Sequence, residues 1–390
     1  MSIPEQIVQA IDAAAERLID MSRQIHDHPE LRFEEHFAAK TLTATMEGFG
    51  ITAQKHIGDL ETAFLAEFGR QEQPKVAILA EYDALPNGHA CGHNLIAGAA
   101  LAAAVGLRAV RDQLPGRVVL LGTPAEEGGG GKVILIEQGA FADVDAAMMF
   151  HPFDRTVLVN PALAHQWITF TFHGKNSHAA AAPWDGYSAL SGVIQTFNLI
   201  DNARIHFRDG TRIHGIITDG GKAVNIIPQT AQAMFSVRAF NTEYLAQVAQ
   251  RVIKCAEAAA LATGTRVETE ARRGYKDMRD NMTMARRFGE HLRALRVEFQ
   301  ESDSSAGFGS TDMGDVSYAV PAIHPYLAIC DIGETMCHQD AFVECANSPR
   351  GYQAMLNAAK AMALTTYDLL TQADFLAAVK AEWAQNLRTT

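Results

Sequence analysis

Residues 76–94 have the sequence VAILAEYDALPNGHACGHN, and this stretch decides the fold. Its first five residues form a continuous apolar run, which is typical of a strand buried on both faces. The run leads into a polar loop that carries Asp83, Cys91 and His93. A sulfur donor and a nitrogen donor on one loop suit a borderline-soft divalent metal such as zinc. The stretch therefore predicts a buried strand whose carboxyl end carries a candidate metal site.

Similar strands and intervening helices surround this stretch. Buried-strand patterns recur at residues 118–121 and 146–150, and alanine-rich helical segments cover 95–111 and 132–138. An amphipathic helix over residues 5–27 precedes them. Strand, helix and strand in this order predict an α/β fold in which helices flank a mostly parallel sheet.

The pattern changes after about residue 165. Segments 167–172 and 233–238 alternate apolar and polar residues, which suits a one-sided antiparallel sheet, and helical patterns cover 187–205 and 243–263. Buried-strand and helical character then returns. We predict a smaller α+β domain over 166–276, inserted into an α/β domain formed by 1–165 and 277–390, with a strand over 322–329 and a helix over 348–370.

Composition narrows the class of protein. The chain of 390 residues is long enough for two domains, and no apolar run approaches the roughly 18 residues of a membrane span. The first residues have no signal-peptide pattern, and five cysteines are too few and too scattered for a disulfide scaffold, so we expect a cytoplasmic protein. The net charge of −12 argues against nucleic acid or an anionic membrane as a partner.

Each predicted parallel strand is followed by side chains that can bind a metal or move a proton. Since open α/β sheets collect their ligands at the carboxyl ends of strands, these groups are expected to converge. One thiol, three imidazoles and a carboxylate suit one or two divalent ions, and a second carboxylate suits a general base. The candidates are Cys91, His93, Glu126, Glu127, His151 and His338.

Less specific interpretations exist for the same residues. A lone buried cysteine is usually a small core residue, and Cys91 with His93 is also a candidate thiol nucleophile with its base. Glu126 and Glu127 can be solvated loop charges, and the two later histidines can belong to the core. The shared position after strands favours the metal site.

Four glycines, residues 128–131, precede Lys132 and resemble part of a phosphate-binding loop. That motif requires Ser or Thr after the lysine and a glycine five residues before the last glycine, whereas Val133 and Glu126 stand there. Two carboxylates beside the loop also repel phosphate. We therefore exclude a phosphate site.

The chain resembles the dinuclear metallohydrolases that include aminoacylase, bacterial carboxypeptidase G and the indole-acetyl-amino-acid hydrolases. Its nearest branch looks like the aminobenzoyl-glutamate hydrolases and aminoacylase-1-like-protein-2 dipeptidases. The motifs that match span almost the whole chain: HPE at 28–30, AEYDALP at 80–86, GHACGHN at 88–94, GTPAEE at 122–127, HP at 151–152, GKNSHAA at 174–180, GGKAVNIIP at 220–228, GSTD at 309–312 and CH at 337–338.

The resemblance implies a role for each matching residue of the α/β domain. Cys91 would bridge two divalent ions, Zn²⁺ or Mn²⁺ with Co²⁺ or Ni²⁺ as further candidates, and Glu126 would be the general base. Asp83 would orient a metal-binding imidazole through a hydrogen bond. Glu81 stands where the wider family often has a histidine, which leaves the preferred metal open. The remaining metal ligands would be His93, Glu127, His151 and His338.

The inserted domain resembles a ferredoxin-like lid and dimerisation domain. His178 would polarise the scissile carbonyl, and Asn225 and Arg238 would bind the substrate carboxylate, since arginine can clamp a carboxylate through two hydrogen bonds. The expected partners are a second copy of the chain and a small amide. For Arg238 the alternative is an exposed strand arginine.

The expected function is metal-dependent hydrolysis, with activated water, of an amide bond in an N-acyl amino acid, an aryl-amide conjugate or a dipeptide. Two alternatives remain at this point. One is a hydrolytic deaminase or another carbon–nitrogen hydrolase on the same scaffold, which would release ammonia. The other is a non-catalytic metal-binding protein.

Overall fold

A computed structural model describes residues 1–70, 73–303, 305 and 308–388. The chain forms two compact units. The first unit comprises Met1–Pro161, Met278–Phe308 and Asp312–Thr390, and the second unit comprises Ala162–Asp277 and Gly309–Thr311. The short segment Gly309–Thr311 was expected in the first domain, but Leu163 N donates to Gly309 O (2.8 Å), and this bond ties the segment to the second unit.

The helices and strands are numbered in chain order. The α-helices are α1 (Ile3–His26), α2 (His36–Glu47), α3 (His93–Ala109), α4 (Gly131–Glu137), α5 (Ala189–Ala203), α6 (Thr242–Thr263), α7 (Met282–Ala294), α8 (Met313–Ala319), α9 (Asp340–Cys345), α10 (Pro349–Thr371) and α11 (Ala373–Asn386). The strands are β1 (Gln54–Ile57), β2 (Leu60–Gly69), β3 (Lys75–Ala80), β4 (Arg117–Gly122), β5 (Ala146–Met148), β6 (His151–Phe153), β7 (Ala164–His173), β8 (Arg212–Asp219), β9 (Thr230–Ala239), β10 (Arg266–Arg272), β11 (Ala322–Ile323) and β12 (Tyr326–Ala328).

The central sheet of the first unit has the strand order β1-β2-β4-β3-β5-β11. Strands β4, β3, β5 and β11 are parallel, and β1 and β2 complete one side through antiparallel pairs. The predicted mostly parallel sheet is therefore confirmed. Because β4, β3 and β5 are neighbours that run in one direction, the loops after them lie along one edge of the sheet.

Helix α3 begins directly at the predicted metal loop and is buried from His93 to Leu107. It is rich in alanine and glycine, which allows neighbouring helices to approach closely. A β-carbon on Gly98 would lie 2.3 Å from Met355 Sδ of α10, and one on Gly106 would lie 2.8 Å from Ile11 Cγ1 of α1. A helix that is apolar all round belongs in the core, and here it anchors the loop that precedes it.

The predicted single strand over 322–329 is wrong. The chain makes two short strands instead, β11 in the central sheet and β12 in a separate parallel pair with β6. His324 and Pro325 separate them, and proline cannot donate a ladder hydrogen bond. The pair matters for the site because the His151 N–H donates to Pro325 O (2.8 Å) and His151 pairs with Tyr326.

The second unit has the element order β7-α5-β8-β9-α6-β10 and an antiparallel sheet in the order β10-β7-β9-β8. This βαββαβ arrangement is the predicted ferredoxin-like fold. Its core is separate from that of the first unit and includes Phe170, Phe172 and Phe235. Strand β8 lies at an edge of the sheet, next to β9. None of the described helices is both long and apolar enough to cross a membrane.

Candidate metal centre

The predicted metal ligands come together in the first unit, in two sets that share one residue. Cys91, His93 and His151 form one set, and Cys91, Glu127 and His338 form the other. Within each set, one donor atom per residue lies within 4.8 Å of the others. A thiol common to two sets of three donors is the arrangement expected of a sulfur that bridges two ions.

The loop that carries Cys91 and His93 is fixed by Gly92. This glycine has a φ of 70° and precedes the first residue of α3. A β-carbon at Gly92 would lie 2.8 Å from Pro152 Cγ, so the loop packs against the residue that follows His151. A left-handed conformation and a close approach both require glycine here. The close approach at Gly92 therefore brings the loop after β3 against β6, the strand that carries His151.

The turn that carries Glu126 and Glu127 follows β4. Ala125 has a φ of 63°, and its carbonyl accepts hydrogen bonds from Gly129 N (3.1 Å) and Gly130 N (2.8 Å). The glycine run therefore folds back over the two glutamates instead of cradling a phosphate.

A buried carboxylate from a distant segment holds this turn. Glu35 Oε1 accepts from the N–H groups of Ala125 (2.9 Å) and Phe33 (2.8 Å), and Oε2 accepts from the Thr62 hydroxyl (2.9 Å). Burial and the nearby Asp83 raise the pKa of Glu35 to about 7. Sequence reasoning missed Glu35, since a single acid 90 residues before its partner leaves no local pattern.

Asp83 holds two of the predicted ligands at once. Its Oδ1 accepts from His93 Nδ1 (3.1 Å), and its Oδ2 accepts from Glu127 N (2.9 Å). Burial alone would raise the pKa of Asp83, but the attraction of His93 outweighs it and the pKa is lowered. Likewise burial would lower the pKa of His93, but Asp83 raises it well above its usual range. The bond leaves His93 Nε2 as the nitrogen that can bind a metal.

Buried polar atoms without partners test whether a cation fits this centre. Among the described side chains, His93 Nε2 and Glu127 Oε1 are buried and make no hydrogen bond. His151 donates from Nδ1 to Pro152 O (2.7 Å), which leaves its Nε2 for a ligand. Buried polar groups are normally satisfied, and a metal ion would satisfy these donors. The residues present therefore fit a divalent metal.

Glu126 and His338 occupy different environments at the edge of this centre. Glu126 lies with His93 and Glu127 in a further set of donors within 4.8 Å of one another. Burial and the repulsion of Glu127 raise its pKa well above the usual range. His338 has a φ of 74°, its N–H donates to Ala90 O (2.9 Å), and its side chain is 63% exposed. The buried acid suits proton transfer, and the exposed imidazole sits at the open side of the centre.

A buried ion cluster adjoins the centre and was not expected. Lys132 Nζ contacts Glu81 Oε1 and Asp312 Oδ1, and all three side chains are at most 1% exposed. His324 is also buried, 5.5 Å from His151 between ring centroids, and its Nδ1 shares a hydrogen bond with the Tyr326 hydroxyl (3.1 Å). In the sequence, the glycine run before Lys132 drew attention to this region because it resembled a phosphate-binding loop. In the structure, Lys132 contacts two carboxylates.

The remaining predicted residues lie in the second unit. His178 forms a bridge with Ile226, and the next residue, Ala179, donates to Asn225 O (3.0 Å), so His178 and Asn225 are neighbours. Arg238 lies on β9, where its Nη1 donates to Ser310 Oγ (3.1 Å). Burial lowers its pKa, and no carboxylate among the described residues forms an ion pair with it.

The α/β fold and the converging donors define a metal-dependent hydrolase. Residues 77–361 match the model of peptidase family M20/M25/M40. The chain is 39% identical to the Xaa-Arg dipeptidase of Mus musculus, over 99% of this chain and 93% of the mouse protein. It is 30% identical to a subunit of the p-aminobenzoyl-glutamate hydrolase of Escherichia coli (strain K12), over 97% of this chain and 94% of that protein.

A solved structure is similar over both units. A dinuclear metal-binding peptidase of the M20 family from Bacillus subtilis has a TM-score of 0.68 and 23% identity, with 89% of this chain and 98% of that chain covered. The protein belongs to peptidase family M20/M25/M40. It is a metal-dependent amidohydrolase that acts on amide bonds in small substrates.

Asp83→Asn is expected to weaken metal binding by about 10–100-fold, because the amide has one acceptor oxygen where the carboxylate uses two. The dissociation constant for Zn²⁺, measured by competition with a chromophoric chelator, tests this expectation. Asp112→Asn is the control, since the Asp112 side chain is 90% exposed. Equal affinities in Asp83→Asn and wild type would show that Asp83 does not orient the ligands.

Proposed function

We propose that the protein hydrolyses the amide bond of a dipeptide, an N-acyl amino acid or an aryl-amide conjugate that carries a free carboxylate. In this proposal Glu126 is the general base, and two divalent ions are held by Cys91, His93, Glu127, His151 and His338. The observation that carries it is the pair of donor sets that share Cys91. Similarity to the mouse Xaa-Arg dipeptidase and to the p-aminobenzoyl-glutamate hydrolase supports a substrate of this kind.

The donor chemistry favours Zn²⁺, with Mn²⁺ as the second candidate. One thiol and three imidazoles are ligands that zinc prefers, and the Glu127 carboxylate is also acceptable to manganese. When bound, the ions would act as Lewis acids towards water and the scissile carbonyl.

Glu126 would carry the proton during the reaction. As a carboxylate it accepts a proton from the water whose oxygen attacks the carbonyl carbon. The carbon–nitrogen bond then breaks, and Glu126 returns the proton to the leaving amine. Burial favours the neutral form of this acid, which makes it a strong enough base for the first step.

His178 would stabilise the negative charge that develops on the carbonyl oxygen. Its Nδ1 accepts hydrogen bonds from the main-chain N–H groups of Ala180 (3.3 Å) and Ala181 (3.1 Å). An acceptor Nδ1 places the proton of a neutral imidazole on Nε2. The Nε2–H group is therefore available as a hydrogen-bond donor to an oxyanion.

Arg238 and Asn225 would bind the free carboxylate of the substrate. The half-buried Arg238 guanidinium donates one hydrogen bond to a serine hydroxyl and retains further N–H donors for a carboxylate. His165 pairs with Arg238 across β7 and β9, and burial together with Arg238 lowers the pKa of His165 to about 4. At neutral pH His165 is thus uncharged, and the positive charge at this position belongs to the arginine.

The protein would act as a homodimer through the second unit. Strand β8 is at an edge of its sheet and exposes Ile216 (59%) and Ile217 (46%), and such an edge can pair with a second copy.

Wild type is expected to sediment at twice the chain mass of 42.3 kDa. Lysine in place of Ile216 would block the pairing and yield monomers, whereas the same change at the exposed Ile205 would not. A monomeric wild type would contradict this assembly.

Glu126→Gln is expected to lower kcat by about 10³-fold or more while metal content stays normal, because the amide cannot accept the proton. Glu127→Gln is the matched variant, since it removes a ligand and is expected to lower metal content. Turnover of N-acyl amino acids and dipeptides, with bound metal counted by elemental analysis, separates the two effects. Full activity in Glu126→Gln would remove Glu126 from the mechanism, and an active metal-free wild type would overturn the function.

Arg238→Met is expected to raise KM for a carboxylate substrate by about 10–100-fold, the equivalent of one charged hydrogen bond. The same substrate with its carboxylate converted to an amide is the control. It should be a poor substrate for wild type and should be handled equally by the variant. If Arg238→Met impairs both substrates to the same degree, Arg238 does not recognise the carboxylate.

A further inference from the structure

A lysine is buried among acids next to the general base. Lys132 has no exposed surface, and its ammonium contacts Glu81 and Asp312, at 2.7 Å in the case of Asp312 Oδ1. Its own main-chain N–H donates to Asp312 Oδ2 (3.0 Å). A β-carbon on the preceding residue, Gly131, would lie 1.8 Å from Pro124 O, so the main chain here is packed tightly on the glutamate turn. Lys132 therefore has a fixed position and two fixed anionic partners.

The acids around this ammonium have the composition of a cation site. Glu81, Glu126 and Asp312 each offer one oxygen, and the three oxygens lie within 4.8 Å of one another. An all-oxygen set of carboxylates suits a hard cation such as Mg²⁺, unlike the thiol and imidazole donors of the metal centre. Charges this deeply buried require a partner of opposite sign. Lys132 supplies that partner from within the chain.

The lysine also limits how Glu81 can act. One oxygen of Glu81 contacts Lys132, and the other, Oε2, lies 3.6 Å from His93 Nε2 and has no hydrogen-bond partner. Without the ammonium, both oxygens of Glu81 would be available to an ion next to Glu126. An ion bound there would occupy the oxygen that Glu126 needs as a base.

We propose that Lys132 is a built-in cation that occupies a third cation position beside the two-metal centre and excludes a divalent ion from Glu81, Glu126 and Asp312. In this role Lys132 is a positioning residue that keeps a further divalent ion away from the Glu126 carboxylate. The proposal rests on the proposed function, in which Glu126 is the base and the centre holds two ions.

The test uses the full chain with Lys132→Met, which removes the ammonium and keeps an apolar stem. Wild type and variant are saturated with Zn²⁺ and then titrated with Mg²⁺. The variant is expected to bind about one Mg²⁺ per chain that wild type does not bind. Roughly 10 mM Mg²⁺ should raise Tm of the variant by about 2 °C or more and leave Tm of wild type unchanged. Mg²⁺ should also inhibit hydrolysis by the variant and should not inhibit hydrolysis by wild type.

Two further preparations make the result decisive. Lys132→Met/Asp312→Asn removes an acid together with the ammonium and is expected to bind no extra Mg²⁺. If this double variant also binds the extra Mg²⁺, the ion lies at another site, and the assignment of a cation position to Glu81, Glu126 and Asp312 is overturned. The single variant is also refolded with and without Mg²⁺, because three facing carboxylates destabilise the fold. Recovery only with Mg²⁺ supports the proposal, since the ion then replaces the ammonium.

A single variant that binds no extra Mg²⁺, or that fails to refold under both conditions, overturns the proposal. The Zn²⁺ content and activity of wild type report on the proposed function. The Mg²⁺ uptake of the variant reports on Lys132. The two proposals can therefore fail independently.

Discussion

The carboxylate of Asp83 links the parts of the candidate metal centre. It follows β3, a central strand of the sheet, and its two oxygens bind the His93 imidazole and the Glu127 main chain. The loops after β3 and β4 are thereby held together by one side chain that has no exposed surface. Gly92 adds β6, the short strand that follows β5, through its contact with Pro152. Because three neighbouring parallel strands end at the same edge, these short connections are enough to assemble the donors.

The second constraint on the candidate centre is that its buried negative charges must be balanced by positive charges. Two like charges 4 Å apart interact by about 4 kcal/mol at an effective dielectric constant of about 20, which is a large part of a typical folding free energy. Repulsion of this size cannot be tolerated repeatedly among Glu81, Glu126, Glu127 and Asp312. The Lys132 ammonium offsets it from within the chain, and divalent ions bound to the candidate centre would add further positive charge. Asp312 illustrates the balance: burial raises its pKa to about 7, and Lys132 acts in the opposite direction.

Much of the fold was predictable because periodicity is a local property. Apolar runs located β3 and β4 to within a residue at each end, and alternation located β7 and β9. The strand over 322–329 was predicted wrongly, because a short apolar run does not reveal where proline and a change of sheet divide it. For the site, the position of each candidate after a strand was enough to suggest convergence. Glu35 and the hydrogen bond between Arg238 and Ser310 had no such signal.

The sequence by itself determined the family, the residue types of the candidate centre and many of the helices and strands, because strand periodicity and motif spacing act over short distances along the chain. Only the tertiary structure decided which donors share a set, which oxygen of Asp83 binds which ligand, and that Lys132 lies between Glu81 and Asp312. These residues are separated by 51 and 180 positions. Their contact depends on how helices and strands pack, and packing is a property of the whole core.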